Sequence, residues 1–286
     1  MTAKLTTNRF RIVFTIVLAV ILWGPSPAGA ATEILNLAYG PNPRHRLDIY
    51  LPETRASSEK NSERAKTTVI FFHGGSWRRG SRERYKFVGR AIAELGYVAV
   101  LANYRLYPEV KFPAFVDDAA RSVAWVRRNA ARYKLGGKRL YLMGHSAGAH
   151  IAMLLALDPR YLKNAGVPRK SILGAIGLAG PYSFNPLRLA RIRPIFADHP
   201  NPDEARPVVF ARNVGPRLLL LHGSADRIVS ARQSQDLANA YRAAGGKAAL
   251  LIYEGVGHAG VVLALHERFS WRAPVAKALQ KFIEGP

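Results

Sequence analysis

Short, nearly continuous apolar runs recur along this chain, with longer mixed stretches between them. Residues 68–73, 97–103, 139–145 and 172–179 each read as a strand buried on both faces. Apolar residues return at helical spacing near 83–95, 115–134 and 147–157. Two more apolar runs, Leu218-Leu219-Leu220-Leu221 and Leu250-Leu251-Ile252-Tyr253, extend the strand series. Such alternation predicts an α/β fold, a mostly parallel sheet with helices on both faces. Ahead of it, Ile34 to Ala38 and Leu47 to Tyr50 flank Gly40, Pro41, Asn42 and Pro43 and read as an antiparallel edge hairpin. Residues 53–67 are charged and serine-rich and read as a loop.

The first 30 residues follow a different pattern. Lys4, Arg9 and Arg11 precede an apolar stretch from Ile12 to Trp23, and Ala28-Gly29-Ala30 is a small-residue cleavage site. This is the pattern of a secretory signal peptide, with Ala31 as the mature start. The apolar stretch is about a dozen residues, short of the roughly 20 that span a bilayer. The arginines flank Phe10 rather than forming a pair, which disfavours twin-arginine export. The expected organisation is a leader over 1–30 and one catalytic domain over 31–286, periplasmic or secreted.

Composition narrows the chemistry. With 286 residues, 49% of them hydrophobic, the chain can bury a sizeable core. The absence of cysteine excludes disulfides, thiolate nucleophiles and cysteine-based zinc sites. The formal net charge is +23, of which the three basic residues before Ala31 supply +3, so the mature chain carries about +20. A charge of this size favours polyanions, whether an anionic membrane surface or an acidic polysaccharide. The basic residues are scattered without aromatic interleaving, so no specific nucleic-acid partner is expected. No two histidines have metal-ligand spacing with a carboxylate, and neither metal nor cofactor is expected.

The candidate chemistry lies where apolar runs end. Leu140-Tyr141-Leu142-Met143 runs into Gly144-His145-Ser146-Ala147-Gly148, and a helix is predicted from Ala147. A strand, Gly-x-Ser-x-Gly and a helix make a nucleophile elbow. The serine sits on a sharp, strained turn, the glycines remove side chains that would clash, and the helix amides point at a forming oxyanion. Ser146 is the candidate nucleophile. The strand at 68–73 ends in His73-Gly74-Gly75-Ser76-Trp77, whose backbone N–H groups can join that of Ala147 around an oxyanion. Asp226 lies just past the strand at 218–221, and His258 follows the strand at 250–253. The order Ser, Asp, His, each at the carboxyl end of a strand, predicts a triad of Ser146, Asp226 and His258. Glu254 is the rival acid, but it precedes His258 by four residues on the same strand end. His150 lies one turn along the elbow helix and is expected to pack, as is His222 beneath the site. Asp117 or Asp118 is expected to pair with Arg105.

These residues resemble the esterase/lipase type of α/β-hydrolase, in the hormone-sensitive-lipase-like and arylformamidase-like neighbourhood. The resemblance rests on His73-Gly74-Gly75-Ser76-Trp77, Asn103-Tyr104-Arg105-Leu106, Gly144-His145-Ser146-Ala147-Gly148, His222-Gly223-Ser224-Ala225-Asp226 and Gly257-His258, and covers the chain from about residue 35. It implies an oxyanion hole of the Gly75, Ser76 and Ala147 amides. Ser76 replaces the third glycine of the lipase pattern, which leans toward small-substrate esterases and formamidases. Residues 181–215, with six prolines from Pro181 to Pro207 and several arginines, break the alternation and read as a small cap or mobile loop. Substrate contacts are expected from Gly74, Trp77, His145 and Tyr182. The expected activity is hydrolysis of short-chain carboxylic esters. An arylformamidase-type amide hydrolase and a non-catalytic binding protein on the same scaffold are the alternatives.

Overall fold

The computed structural model describes residues 31–53 and 64–285. The expected leader lies outside the described residues, as does most of the charged loop expected at 53–67. Residues Ala31–Pro286 form one compact unit.

The strands are β1 (Thr32–Ala38), β2 (Arg46–Leu51), β3 (Thr68–Phe72), β4 (Val98–Ala102), β5 (Leu140–His145), β6 (Ile172–Leu178), β7 (Arg217–Gly223) and β8 (Ala248–Tyr253). They form one 8-stranded sheet in the order β1-β2-β4-β3-β5-β6-β7-β8. β1, β2 and β4 pair antiparallel, and every other pairing is parallel. The edge hairpin and the mostly parallel sheet are therefore as the sequence predicts.

The helices are α1 (Lys86–Glu94), α2 (Ala114–Arg128), α3 (Ala147–Leu157), α4 (Pro159–Asn164), α5 (Arg193–Phe196), α6 (Arg232–Ala243), α7 (His258–Leu263) and α8 (Val275–Glu284). Alternate strand residues feed two cores. Ile70, Phe72, Leu142 and Leu220 pack with α2, α3 and α6 on one face. Val69, Phe71, Met143 and Leu221 pack with α1, α7 and α8 on the other. This two-sided burial explains why the central strands are nearly continuous apolar runs. Every residue of α3 is buried. A helix that is apolar all round can only be a core helix.

Two boundaries differ from expectation. α2 stops at Arg128 rather than near 134, because the Asn129 amide side chain donates to the Trp125 carbonyl and Lys134 adopts a positive φ of 56°. A 3-10 turn, Arg82–Tyr85, precedes α1. The segment 181–215 is an ordered excursion between β6 and β7. Its Ile195, Phe196, Ala205 and Phe210 enter the main core, so packing holds it in place.

Candidate active site

The carboxyl edge of the sheet gathers the predicted residues. Ser146 follows β5 with φ 54° and ψ −119°. A non-glycine residue there stores roughly 1–3 kcal/mol of strain, which the surroundings must hold. They do so through close backbone packing. The Ser146 N–H donates to the Leu178 carbonyl at 2.8 Å. A Cβ on Gly148 would lie 2.0 Å from the Phe72 carbonyl oxygen, and one on Gly144 would lie 2.2 Å from the Gly148 backbone. Both elbow glycines thus serve close approach, as expected.

Ser146 is only 9% exposed. Its hydroxyl lies 2.9 Å from His258 Nε2, and His258 Nδ1 lies 2.7 Å from Asp226 Oδ2. An ionised carboxylate only accepts, so Nδ1 carries the hydrogen and Nε2 is left to accept from the serine. Burial opposes ionisation of Asp226. Hydrogen bonds from His222 and His258, with the His258 charge and the Val229 amide, overcome it and hold the carboxyl well below the usual carboxylate range. Asp226 Oδ1 accepts from the Ile228 and Val229 amides at 2.8 and 2.9 Å. Glu254, the rival acid, is exposed.

The loop after β3 turns back on itself through positive φ at Gly75, Ser76 and Trp77 (130°, 56° and 57°). A Cβ on Gly75 would lie 1.9 Å from the Arg79 carbonyl oxygen. The amides of Gly75, Ser76 and Ala147 donate to no other protein group among the described residues. Ala147 is the first residue of α3, where helix geometry leaves the N–H unpaired and the dipole is positive.

The residues expected to contact substrate are held as follows. The Gly74 N–H donates to the Tyr85 hydroxyl at 3.3 Å and is occupied. Tyr182 is fully buried, and its ring fills the space that side chains on Gly177 and Gly180 would take. Trp77 is 3% exposed, boxed in by Phe115, His150, Phe184 and Phe196. These two rings bury themselves because they anchor the cap stem and the oxyanion loop. His145 is also buried, and its role is support. Tyr85 donates to His145 Nδ1 at 2.9 Å, and His145 Nε2 donates to the His258 carbonyl at 3.2 Å. Gly74, Tyr85, His145 and His258 thus form one directed chain from the oxyanion loop to the triad histidine. Burial, reinforced by the His258 charge, pushes His145 down to about 3, so its ring is neutral at pH 7.

His150 packs as expected, with Nε2 2.6 Å from the Ala205 carbonyl. Asp118, rather than Asp117, takes the Arg105 guanidinium through both carboxylate oxygens at 2.8 and 2.7 Å. His222 does more than pack. Its Nε2 lies 3.1 Å from Asp226 Oδ2 and 2.8 Å from the Val229 carbonyl, while Nδ1 accepts from the Ser234 hydroxyl at 2.8 Å. The spacing of four residues before Asp226 was the available signal for it. Tyr104, which stacks on His73 at 4.3 Å and donates to its carbonyl, also lay in a conspicuous motif. Nothing in the sequence marked Tyr85.

This elbow, sheet order and histidine-bearing last strand turn are the arrangement of the α/β-hydrolase fold. Residues 47–181 match the BD-FAE family model. The chain is 30% identical over 249 residues to the isoprenylcysteine alpha-carbonyl methylesterase ICME of Arabidopsis thaliana, a match covering 80% of this chain and 57% of that protein. It is 32% identical over 160 residues to the kynurenine formamidase of Salmo salar, covering 56% of this chain and 49% of that one. The chain therefore spans about half the length of these curated relatives. Among solved structures, esterase B from Lactobacillus rhamnosis superimposes with a TM-score of 0.76 at 19% identity, over 94% of this chain and 90% of that one. That likeness is one of fold.

Proposed function

We propose that this protein is an exported serine hydrolase that cleaves carboxylic esters, short acyl esters foremost, through an acyl-enzyme. The observation that carries the reading is the continuous Asp226–His258–Ser146 hydrogen-bond chain, with the serine on a strained elbow at a helix N-terminus. Ser146 Oγ attacks the ester carbonyl while His258 Nε2 takes its proton. The developing oxyanion is held by the amides of Gly75, Ser76 and Ala147, each worth roughly 3 kcal/mol of barrier. Collapse expels the alcohol, which receives the proton from His258. Water, deprotonated by the same ring, then attacks the acyl carbon and releases the acid and free Ser146. Asp226 keeps the imidazole in the accepting tautomer and stabilises its charged form.

Support for a small acyl group is Ser76 in place of a third glycine, together with the half-buried Phe184 of the cap, which stacks on Trp77 and meets His150, one turn from Ser146. The methylesterase name of the plant relative fits the same bond class. Export rests on the basic, apolar and small-residue order of residues 1–30. Amino-terminal sequencing of the protein recovered outside the cytoplasm should begin at Ala31.

Initial rates on nitrophenyl esters from acetyl to dodecanoyl test the reading. Turnover is expected on the short esters and is expected to vanish in Ser146→Ala. A second reading, hydrolysis of a formamide, has the likeness to kynurenine formamidase behind it. The same machinery would serve, with an amine as leaving group. A higher rate on N-formylkynurenine than on nitrophenyl acetate would favour it. Failure of a fluorophosphonate to label Ser146 in folded protein would leave only a binding role.

A further inference from the structure

The cap carries a surface that the chemistry above does not use. From Leu187 to Arg191 every residue of Leu-Arg-Leu-Ala-Arg is exposed, and Leu189 reaches 58% and Leu187 39%. No acidic residue occurs between Pro181 and Ala197. The segment is ordered. Arg78, next to Trp77, donates to the Arg191 carbonyl at 2.7 Å, and the Arg193 guanidinium donates to the Leu187 carbonyl at 2.7 Å. At the other end of the cap stem, the Tyr182 and Ser183 amides donate to Gln233 of α6. The cap therefore lies between the oxyanion loop and the start of α6, on the carboxyl edge that holds Ser146. On the same edge, the turn after Asp226 exposes Arg227 and Ile228, the latter at 53%.

We propose that this site-bearing face docks on an anionic phospholipid bilayer surface, with Leu187, Leu189 and Ile228 entering the interface and Arg188, Arg191 and Arg227 meeting lipid phosphates. The occupant follows from the combination. Arginines alone would suit any polyanion, and the chain's excess of positive charge makes such an encounter favourable. A hydrated acidic polysaccharide would leave the leucines in water. A bilayer interface takes apolar side chains at the headgroup boundary and guanidinium groups at the phosphates in one arrangement. The contact is peripheral: no helix among the described residues is long and apolar enough to cross a membrane. Docking in this way would bring the serine to esters at the lipid surface. The surface itself does not depend on the ester reading.

Sedimentation with sucrose-loaded vesicles at physiological salt tests it. The full chain carrying Ser146→Ala is used, so hydrolysis plays no part and a failure here is separate from a failure of the ester reading. Every variant keeps the same N-terminal segment, whose contribution cancels in the comparison. Binding is expected to phosphatidylglycerol-containing vesicles and not to phosphatidylcholine alone. The pair Leu187→Ser/Leu189→Ser should weaken it at least tenfold, and Arg188→Gln/Arg191→Gln should weaken it and flatten its salt dependence. Circular dichroism and thermal melting establish that the variants are folded. Equal binding by the leucine variant would overturn the proposal, as would absence of binding to anionic vesicles. Binding to polygalacturonate that exceeds vesicle binding and ignores the leucines would replace the bilayer with a polysaccharide.

Discussion

Two regions meet over Ser146, and they are built differently. The floor, made of the elbow, the oxyanion loop and the Asp226 turn, is held by backbone. It has positive φ at Gly75, Ser76, Trp77 and Ser146, glycines where an added Cβ would lie under 2.5 Å from backbone atoms, and a hydrogen bond for each polar atom of the triad. The cap is held by side chains: Phe184 and Phe196 against Trp77 and His150, and Ile195, Ala205 and Phe210 in the core. Backbone geometry fixes a reacting atom to a few tenths of an ångström. Aromatic packing fixes a wall but tolerates exchange of its parts. Chemistry should therefore be sensitive to the floor and substrate choice to the cap.

The sharpest contrast is in rate. Removing the nucleophile with Ser146→Ala should lower kcat on a nitrophenyl ester by about 10⁴-fold or more. Residual turnover above a hundredth of wild type would break the assignment. Phe184→Ala should leave kcat on nitrophenyl acetate within a few-fold while raising turnover of longer acyl chains, since it opens the wall and leaves the elbow untouched. If instead all acyl lengths lost rate equally, the floor and the cap would not be separable.

A second pair of variants probes the supports of the floor. His222→Ala removes one charged hydrogen bond from Asp226, worth about 1.5–3 kcal/mol, so kcat should fall by roughly ten- to a hundredfold. The acid limb of the pH profile should shift with it. A change in melting temperature with no change in that limb would make His222 a packing residue only. Tyr85→Phe breaks the chain to His145 and should cost about 1 kcal/mol of stability and a few-fold in kcat. A double variant with His145→Gln that merely repeats the Tyr85→Phe loss would show that the two act as one unit.

Stability should depend on acidity through buried imidazoles. Burial pushes His73 and His145 down to about 3 and His150 to about 4. The unfolded chain binds protons at these residues below about pH 6.5, and the folded chain does not. Their contribution is therefore complete above pH 6.5 and is lost as the pH falls toward 4, by up to about 1.4 kcal/mol per unit for each ring. Urea unfolding at pH 7.5, 5.5 and 4.5 measures it. A midpoint that stayed constant across that range would mean that these rings are not held neutral.

Much of the floor was legible beforehand. Gly-x-Ser-x-Gly after an apolar run, and the order Ser146, Asp226, His258, each encode a local event, a turn at a strand end, that needs only neighbours in the chain. The start of the elbow helix at Ala147 is equally local. The end of α2 was harder, because a single side chain, Asn129, closes it. The amphipathic helices α6 and α8 leave a weaker pattern, since half of each faces solvent and their burial depends on distant partners, β7 and β8 for α6 and Tyr141 of β5 and Arg217 of β7 for α8.

The burial of Trp77 and Tyr182 was not legible for a related reason. An aromatic residue beside a candidate nucleophile reads as substrate-facing in sequence, yet a ring has two faces and only packing decides what covers them. The sequence by itself determined the strand–helix alternation, the elbow, the chain order of Ser146, Asp226 and His258 at strand ends and the excess of positive charge, because each is written in short-range pattern or composition. Only the tertiary structure decided that His222 and His145 hydrogen-bond to Asp226 and His258, that Tyr85 links the loop after β3 to His258 through His145, and that the cap turns its leucines and arginines outward on the side of the serine. Those facts depend on residues between 4 and 113 positions apart meeting at one sheet edge, and no local propensity encodes such meetings.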